Sequence, residues 1–157
     1  MMPTDAELAW LAGIVDGEGT IGLHRTNAKQ NPHPYLRPHF QIVNTDVRIL
    51  AKVARIIFDL TDKPHNLVVT NKGGNGLKRG YRLAVNTQWE LLVVLPALVP
   101  FMASKCEQAA IVLAFCKRRL SRGSCHWYEF KEEDDACYAR CRELNRRGDG
   151  SQRSALH

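Results

Sequence analysis

Residues 11–23 read LAGIVDGEGTIGL, and the reading of this stretch decides the fold. An apolar run leads into two carboxylates, Asp16 and Glu18, and then dissolves into glycine. Thr4 followed by Glu7 fits a capping box ahead of apolar residues at helical spacing, so a helix is expected from about residue 5 to residue 16 or 18. On that helix Leu8, Leu11 and Val15 share one side and are expected in the chain's own core. Ala9, Gly13 and Gly17 are each four apart and make a second ridge of nearly bare backbone, with Ala12 beside it. Glycine inside a helix costs about 1 kcal/mol relative to alanine. Two glycines on one ridge need a compensating close approach, and a second copy of the same helix supplies it. Ala9, Ala12, Gly13, Asp16 and Gly17 are therefore expected at a dimer interface.

Asp16 and Glu18 are two apart, so on a helix they do not face each other, and a paired-carboxylate site within one chain is not expected. Glu18 stands where the helix ends, between Gly17 and Gly19. If two such helices pack along the glycine ridge, two Glu18 carboxylates meet, and they repel unless a cation sits between them. Hard divalent ions such as Mg²⁺ take oxygen ligands of this kind.

The charge distribution points the same way. The chain of 157 residues carries 22 Lys+Arg, 16 Asp+Glu and a net charge of +6. Residues 19–45 contain no acid, only Arg25, Lys29 and Arg37 with His24, His33 and His39. Residues 63–89 again contain no acid, only Lys63, Lys72, Lys78, Arg79 and Arg82 as full cations. All 16 acids fall elsewhere. Chance clustering on a solvated face is the bland explanation. An acid-free basic surface is also what a polyphosphate partner requires.

Both acid-free segments read as hairpins. TIGLHRT and PYLRPHFQIVN alternate, with the turn-rich NAKQNPHP between them, and Pro38 implies an edge or irregular position. NLVVTNK and RGYRLAVN flank GGNGLK. Between the hairpins, Val47, Leu50, Ala51, Ala54, Ile57 and Phe58 recur at helical spacing. Thr87 with Glu90 suggests another capping box and a helix to residue 95 or 98, where Pro96 and Pro100 break the pattern. Further helices are expected over 104–120 and 131–146. An α+β protein follows, with a four-stranded antiparallel sheet that has helices on one face and a basic opposite face. Residues 1–147 are expected to form a single domain, with a loose tail over 148–157.

The segment LAGIVDGEG resembles the signature of the LAGLIDADG homing endonucleases in order and spacing. HFQIVN resembles the end of that family's second strand, and PFMASKCEQA its late active-site helix. The resemblance covers residues 5–145 and is to the small single-motif members, which act as homodimers. It implies the αββαββα LAGLIDADG endonuclease fold, a saddle-shaped sheet with extra C-terminal helices. It also implies an intron-encoded, site-specific double-strand DNA endonuclease using Mg²⁺ (or Mn²⁺) on a long, roughly palindromic target. By this resemblance Glu18 is the metal-binding acid and the Gly17 carbonyl a second ligand. The family most often has aspartate where Glu18 stands. Asp16 matches the motif's first acid and is implied to cap or hydrogen-bond at the helix junction. Lys105 matches a basic residue beside the scissile phosphate, and Asn44, or Gln41 on the same strand, a polar residue that orients solvent. An ordinary solvated helix lysine is the bland explanation of Lys105. The alternative on the same fold is a non-cleaving RNA-splicing maturase or DNA-binding regulator.

Strand alternation sorts the reading face independently of the family. With Ile21, Leu23, Phe40 and Ile42 in the core, Gly22, His24, Thr26, Arg37, His39 and Gln41 face out. Lys29, Lys72, Lys78 and Arg79 sit near the turns, where phosphate contacts are expected, and Arg82 lies on the second hairpin. Arg and Gln on a two-stranded ribbon suit guanine and adenine in the major groove.

Other signals are discounted. Cys125, His126, Cys137 and Cys141 lack a paired C-x₂-C knuckle, and buried cysteine explains Cys137 and Cys141 on a helical stripe. The basic run CKRRLSRG touches flanking phosphates or complements a helix dipole; the sequence does not separate these. No apolar run reaches membrane-spanning length and no leader pattern opens the chain, so an intracellular protein is expected, in a bacterial or phage-infected cytoplasm or in an organelle.

Overall fold

A computed structural model describes residues 1–26, 35–121 and 131–146. Lys29, His33, Cys125, His126 and the 148–157 tail lie outside the described residues.

The first helix, α1, spans Asp5–Glu18. Thr4 and Glu7 form the expected capping box: the Glu7 N–H donates to Thr4 Oγ1 at 3.3 Å and the Thr4 N–H to Glu7 Oε2 at 3.0 Å. Leu11 and Val15 are fully buried. The chain leaves α1 at Gly19, whose N–H still donates to the Val15 carbonyl. A Cβ at Gly19 would stand 2.7 Å from Val15 O and 2.9 Å from Val15 Cα, so sterics rather than backbone freedom require glycine here.

Strands β1 (Gly19–Arg25) and β2 (Leu36–Asn44) pair antiparallel, Gly19 with Ile42 and Arg25 with Leu36. Helix α2 spans Val47–Thr61, then β3 (Val68–Asn71) and β4 (Gly80–Val85) form the second hairpin. The sheet order is β1-β2-β4-β3. The chain continues through α3 (Gln88–Leu98), a 3₁₀ turn (Val99–Phe101), α4 (Cys106–Ser121) and α5 (Lys131–Arg146). The αββαββα order and the C-terminal helices are as expected. Helices α1, α2 and α4 pack against the sheet, α3 packs on those helices, and together they share with the sheet one core that includes Leu11, Ile21, Phe40, Ile57, Leu83, Leu95 and Phe115. No helix among the described residues is long and apolar enough to cross a membrane.

Three local expectations are corrected. The buried stripe of α2 is Leu50, Val53, Ile56, Ile57 and Thr61, while Val47 and Phe58 are exposed. Both sets have helical spacing, and only the direction of the sheet chooses between them. Pro96 lies inside α3 instead of ending it. Thr87 makes no cap hydrogen bond to the α3 backbone. Its hydroxyl donates to the buried Glu90 carboxylate, which also holds His65 Nε2 at 3.1 Å, so a pair that looks local serves a long-range contact. The edge position expected at Pro38 is met locally: β4 pairs with β2 only from Phe40 onward, so at Pro38 the strand has β1 alone as its neighbour.

Candidate functional site

The C-terminal end of α1 meets the start of α4 in a reciprocal clamp. The Asp16 carboxylate accepts the N–H groups of Ala103 (2.6 Å), Ser104 (3.1 Å) and Lys105 (3.1 Å) and the Ser104 hydroxyl (2.9 Å). In return Lys105 Nζ donates to the carbonyls of Val15 (2.8 Å) and Asp16 (2.5 Å). No basic residue occupies the last turn of α1 itself, so a cation from a distant segment meets its open carbonyls and the negative end of its dipole. Partial burial would raise the Asp16 pKa, but the donated hydrogen bonds outweigh it and hold the carboxyl below its ordinary value. Burial pushes the Lys105 ammonium below its ordinary value, and Asp16 offsets part of that. Lys105 is thus no solvated surface lysine: its ammonium is anchored one and two residues before Gly17.

Glu18, by contrast, is exposed at the end of α1. Its carboxylate accepts from Asn44 Nδ2, and Asn44 Oδ1 accepts the Asp46 N–H at 2.7 Å. The second bond fixes the amide orientation, so Asn44 presents its donor to Glu18. Gln41 is not in this cluster. It pairs with Thr20 and Ala84 on the opposite face of the sheet, so of the two residues expected to serve beside Glu18 only Asn44 is brought there.

Glu18 with the adjacent Gly17 backbone is a hard oxygen donor set suited to a divalent ion with much of its water retained. Among the described residues no three His, Cys, Asp or Glu side chains converge as a metal cage. Burial raises Cys116 to about 12 and Cys141 to about 11, keeping both as thiols at neutral pH.

The ridge of α1 is open. Ala9, Gly13 and Gly17 are exposed, and a Cβ built at Gly13 or Gly17 would meet nothing within 4 Å. Among the described residues no contact requires those two glycines. The expectation that Ala12 shares this ridge is not met, because Ala12 is fully buried in its own core. The Asp16 carboxylate likewise turns inward to residues 103–105.

The outer face of the sheet carries a hollow of about 340 Å³ lined by His24, Arg37, His39, Gln41, Arg82 and Asn86 among others. Arg37 lies 5.0 Å over the Tyr35 ring and also donates to its hydroxyl. His39 is pushed below its ordinary pKa by burial first and by the neighbouring His24 second, which favours a neutral ring at neutral pH. Its Nδ1, like Arg82 Nε, is buried without a hydrogen-bond partner among the described residues. Lys72, Lys78 and Arg79 are exposed beside the β3–β4 turn.

Two outward-facing positions differ from expectation. Gly22 is buried, and a Cβ there would come within 3.2 Å of Asn145 Nδ2 and 3.4 Å of the His39 ring. Asn145 of α5 also donates to the Ile21 carbonyl at 3.3 Å, so the end of α5 closes the open edge of β1. The Thr26 hydroxyl is engaged by the Tyr35 backbone, accepting its N–H at 2.9 Å and donating to its carbonyl at 3.1 Å. Sequence reasoning missed the α5 contribution. Arg142, Asn145 and Arg146 border a second hollow with His24 and His39, and helical spacing alone carried no sign of that proximity.

No family model matches the chain, and no curated protein matches it. Solved structures do. The homing endonuclease I-CvuI, in complex with its target in the presence of calcium, superposes with a TM-score of 0.67 at 19% identity, covering 95% of this chain and 86% of that one. The archaeal intron-encoded homing endonuclease I-Vdi141I, complexed with DNA, superposes with a TM-score of 0.63 at 16% identity, covering 90% and 84%. The LAGLIDADG meganuclease I-AabMI, bound to uncleaved DNA, gives a TM-score of 0.56 at 18% identity, covering 73% of this chain but 37% of that longer one.

Proposed function

We propose that this chain, which carries the LAGLIDADG homing endonuclease fold, is a site-specific double-strand DNA endonuclease. It acts as a homodimer on a long, roughly palindromic target and hydrolyses phosphodiester bonds with a divalent metal, Mg²⁺ or Mn²⁺. The observation that carries this reading is Glu18, exposed at the end of an open glycine ridge and held there by Asn44.

Packing two α1 helices along Ala9, Gly13 and Gly17 brings two Glu18 carboxylates together at the base of the pair, with each basic sheet face on one half-site. Glu18 and the Gly17 carbonyl would hold the metal, which when bound supplies Lewis-acid stabilisation and a water nucleophile at neutral pH. Asn44 keeps the Glu18 carboxylate aimed. Lys105, anchored on the α1 carbonyls, places positive charge where the phosphate develops negative charge. His24, Arg37, His39, Gln41 and Arg82 face the major groove, and Lys72, Lys78 and Arg79 hold phosphates.

The deciding experiment incubates the protein with a DNA library and Mg²⁺ and sequences the ends produced. Cleavage at one long, near-palindromic sequence is expected. Specific binding with no new ends under any divalent metal would overturn the nuclease reading in favour of a DNA-binding regulator.

A further inference from the structure

The outer face of the sheet is not uniformly polar. Val43 on β2 is 42% exposed and Val68 on β3 is 47% exposed. The antiparallel register sets both opposite the same residue: Val43 pairs with Arg82 of β4, and so does Val68. Residues paired across strands point to the same side of a sheet. The three side chains therefore form one row, valine–arginine–valine, across β2, β4 and β3. This row lies at the Glu18 end of β2, because the residue after Val43 is Asn44. Arg82 makes no hydrogen bond or ion pair among the described residues, and its Nε is buried without a partner. A buried, unpaired Nε on a half-exposed arginine flanked by two exposed aliphatic groups leaves donor capacity that an acceptor seated between the valines would use.

Both valines sit in the acid-free segments, so the surroundings favour a polyanion over an apolar peptide. The major groove offers the matching chemistry. Guanine presents two acceptors, N7 and O6, for an arginine fork, and thymine alone among the four bases presents a methyl group. We infer that this row reads bases directly: Arg82 donates to a guanine, and Val43 and Val68 pack against the 5-methyl groups of thymines on either side of it. The inference rests on the DNA-binding reading above and goes further by naming part of the target and two residues that select it.

The test uses the full chain and its own selected target. Bound sequences are recovered from a randomised DNA pool, and each thymine of the half-site is then replaced singly by deoxyuridine, which removes only the methyl group. At two positions flanking a guanine, the replacement is expected to weaken binding about four-fold each, the worth of one methyl removed from water. Val43→Ser should erase the sensitivity at one of these positions and Val68→Ser at the other. Arg82→Met should relax the preference for the intervening guanine by about ten-fold. Unchanged affinity on every deoxyuridine target, with specific binding intact, would overturn the inference and leave the endonuclease reading standing. Failure to select any DNA would overturn both.

Discussion

The side-chain amide of Asn44, at the end of β2, donates to the carboxylate of Glu18, at the end of α1. The two are 26 residues apart in sequence, and the pairing of Gly19 with Ile42 brings them together. A carboxylate that is to bind a metal needs such an orienting neighbour, because a freely rotating Glu loses side-chain entropy on binding.

Removing either partner has a distinct consequence. Glu18→Gln should abolish Mg²⁺-dependent cleavage while leaving specific binding within about two-fold, since under the proposed mechanism the charge lost would be a metal ligand and not a DNA contact. Asn44→Ala should retain cleavage but raise the Mg²⁺ concentration needed for half-maximal rate by about 10–100-fold. Metal titrations of single-turnover cleavage separate the two. Full activity of Glu18→Gln would remove the mechanism.

The open ridge of α1 predicts an effect on assembly without an effect on folding. Gly13→Leu meets no described atom beyond its neighbouring helical backbone within 4 Å of the added Cβ and replaces a poor helix former with a good one. Circular dichroism should therefore be unchanged. Sedimentation should shift from dimer to monomer, because the side chain occupies the space that a second helix would use.

Asp16 gives a pH dependence whose sign is set by its depressed pKa. Its contribution to stability is fully present above the ordinary carboxylate value and is lost as pH falls through the lower folded-state value. The urea midpoint of the wild type should drop across that acidic window. Asp16→Asn should lower the midpoint at neutral pH by an amount equivalent to about 1–3 kcal/mol and flatten the acid dependence. Equal acid slopes in the two proteins would remove Asp16 as its origin.

The basic, acid-free sheet face predicts a steep salt response. Each phosphate neutralised contributes a slope of about −0.9 to the plot of log affinity against log salt. Lys72→Ala and Lys78→Ala, on exposed residues beside the β3–β4 turn, should each reduce the slope by about one while leaving the preferred sequence unchanged. A slope that does not move would place those lysines outside the interface.

Much of this was legible in the residues alone. The Thr4–Glu7 box, the placement of Gly13 and Gly17 and the alternation of residues 19–25 and 36–44 specify α1, its two faces and the first hairpin, because those signals operate within a few residues along the chain. The acid-free segments likewise mark the polar face of the sheet. What the sequence could not decide is what depends on contacts between distant segments. Whether Leu50–Val53–Ile57 or Val47–Ala51–Phe58 is the buried stripe of α2 depends on where the sheet lies. That Asn44 and not Gln41 meets Glu18, that Asp16 binds the backbone of residues 103–105, and that Asn145 closes over Gly22 follow from packing alone. Helical and strand periodicity assign a residue to a face; only the tertiary fold decides what that face meets.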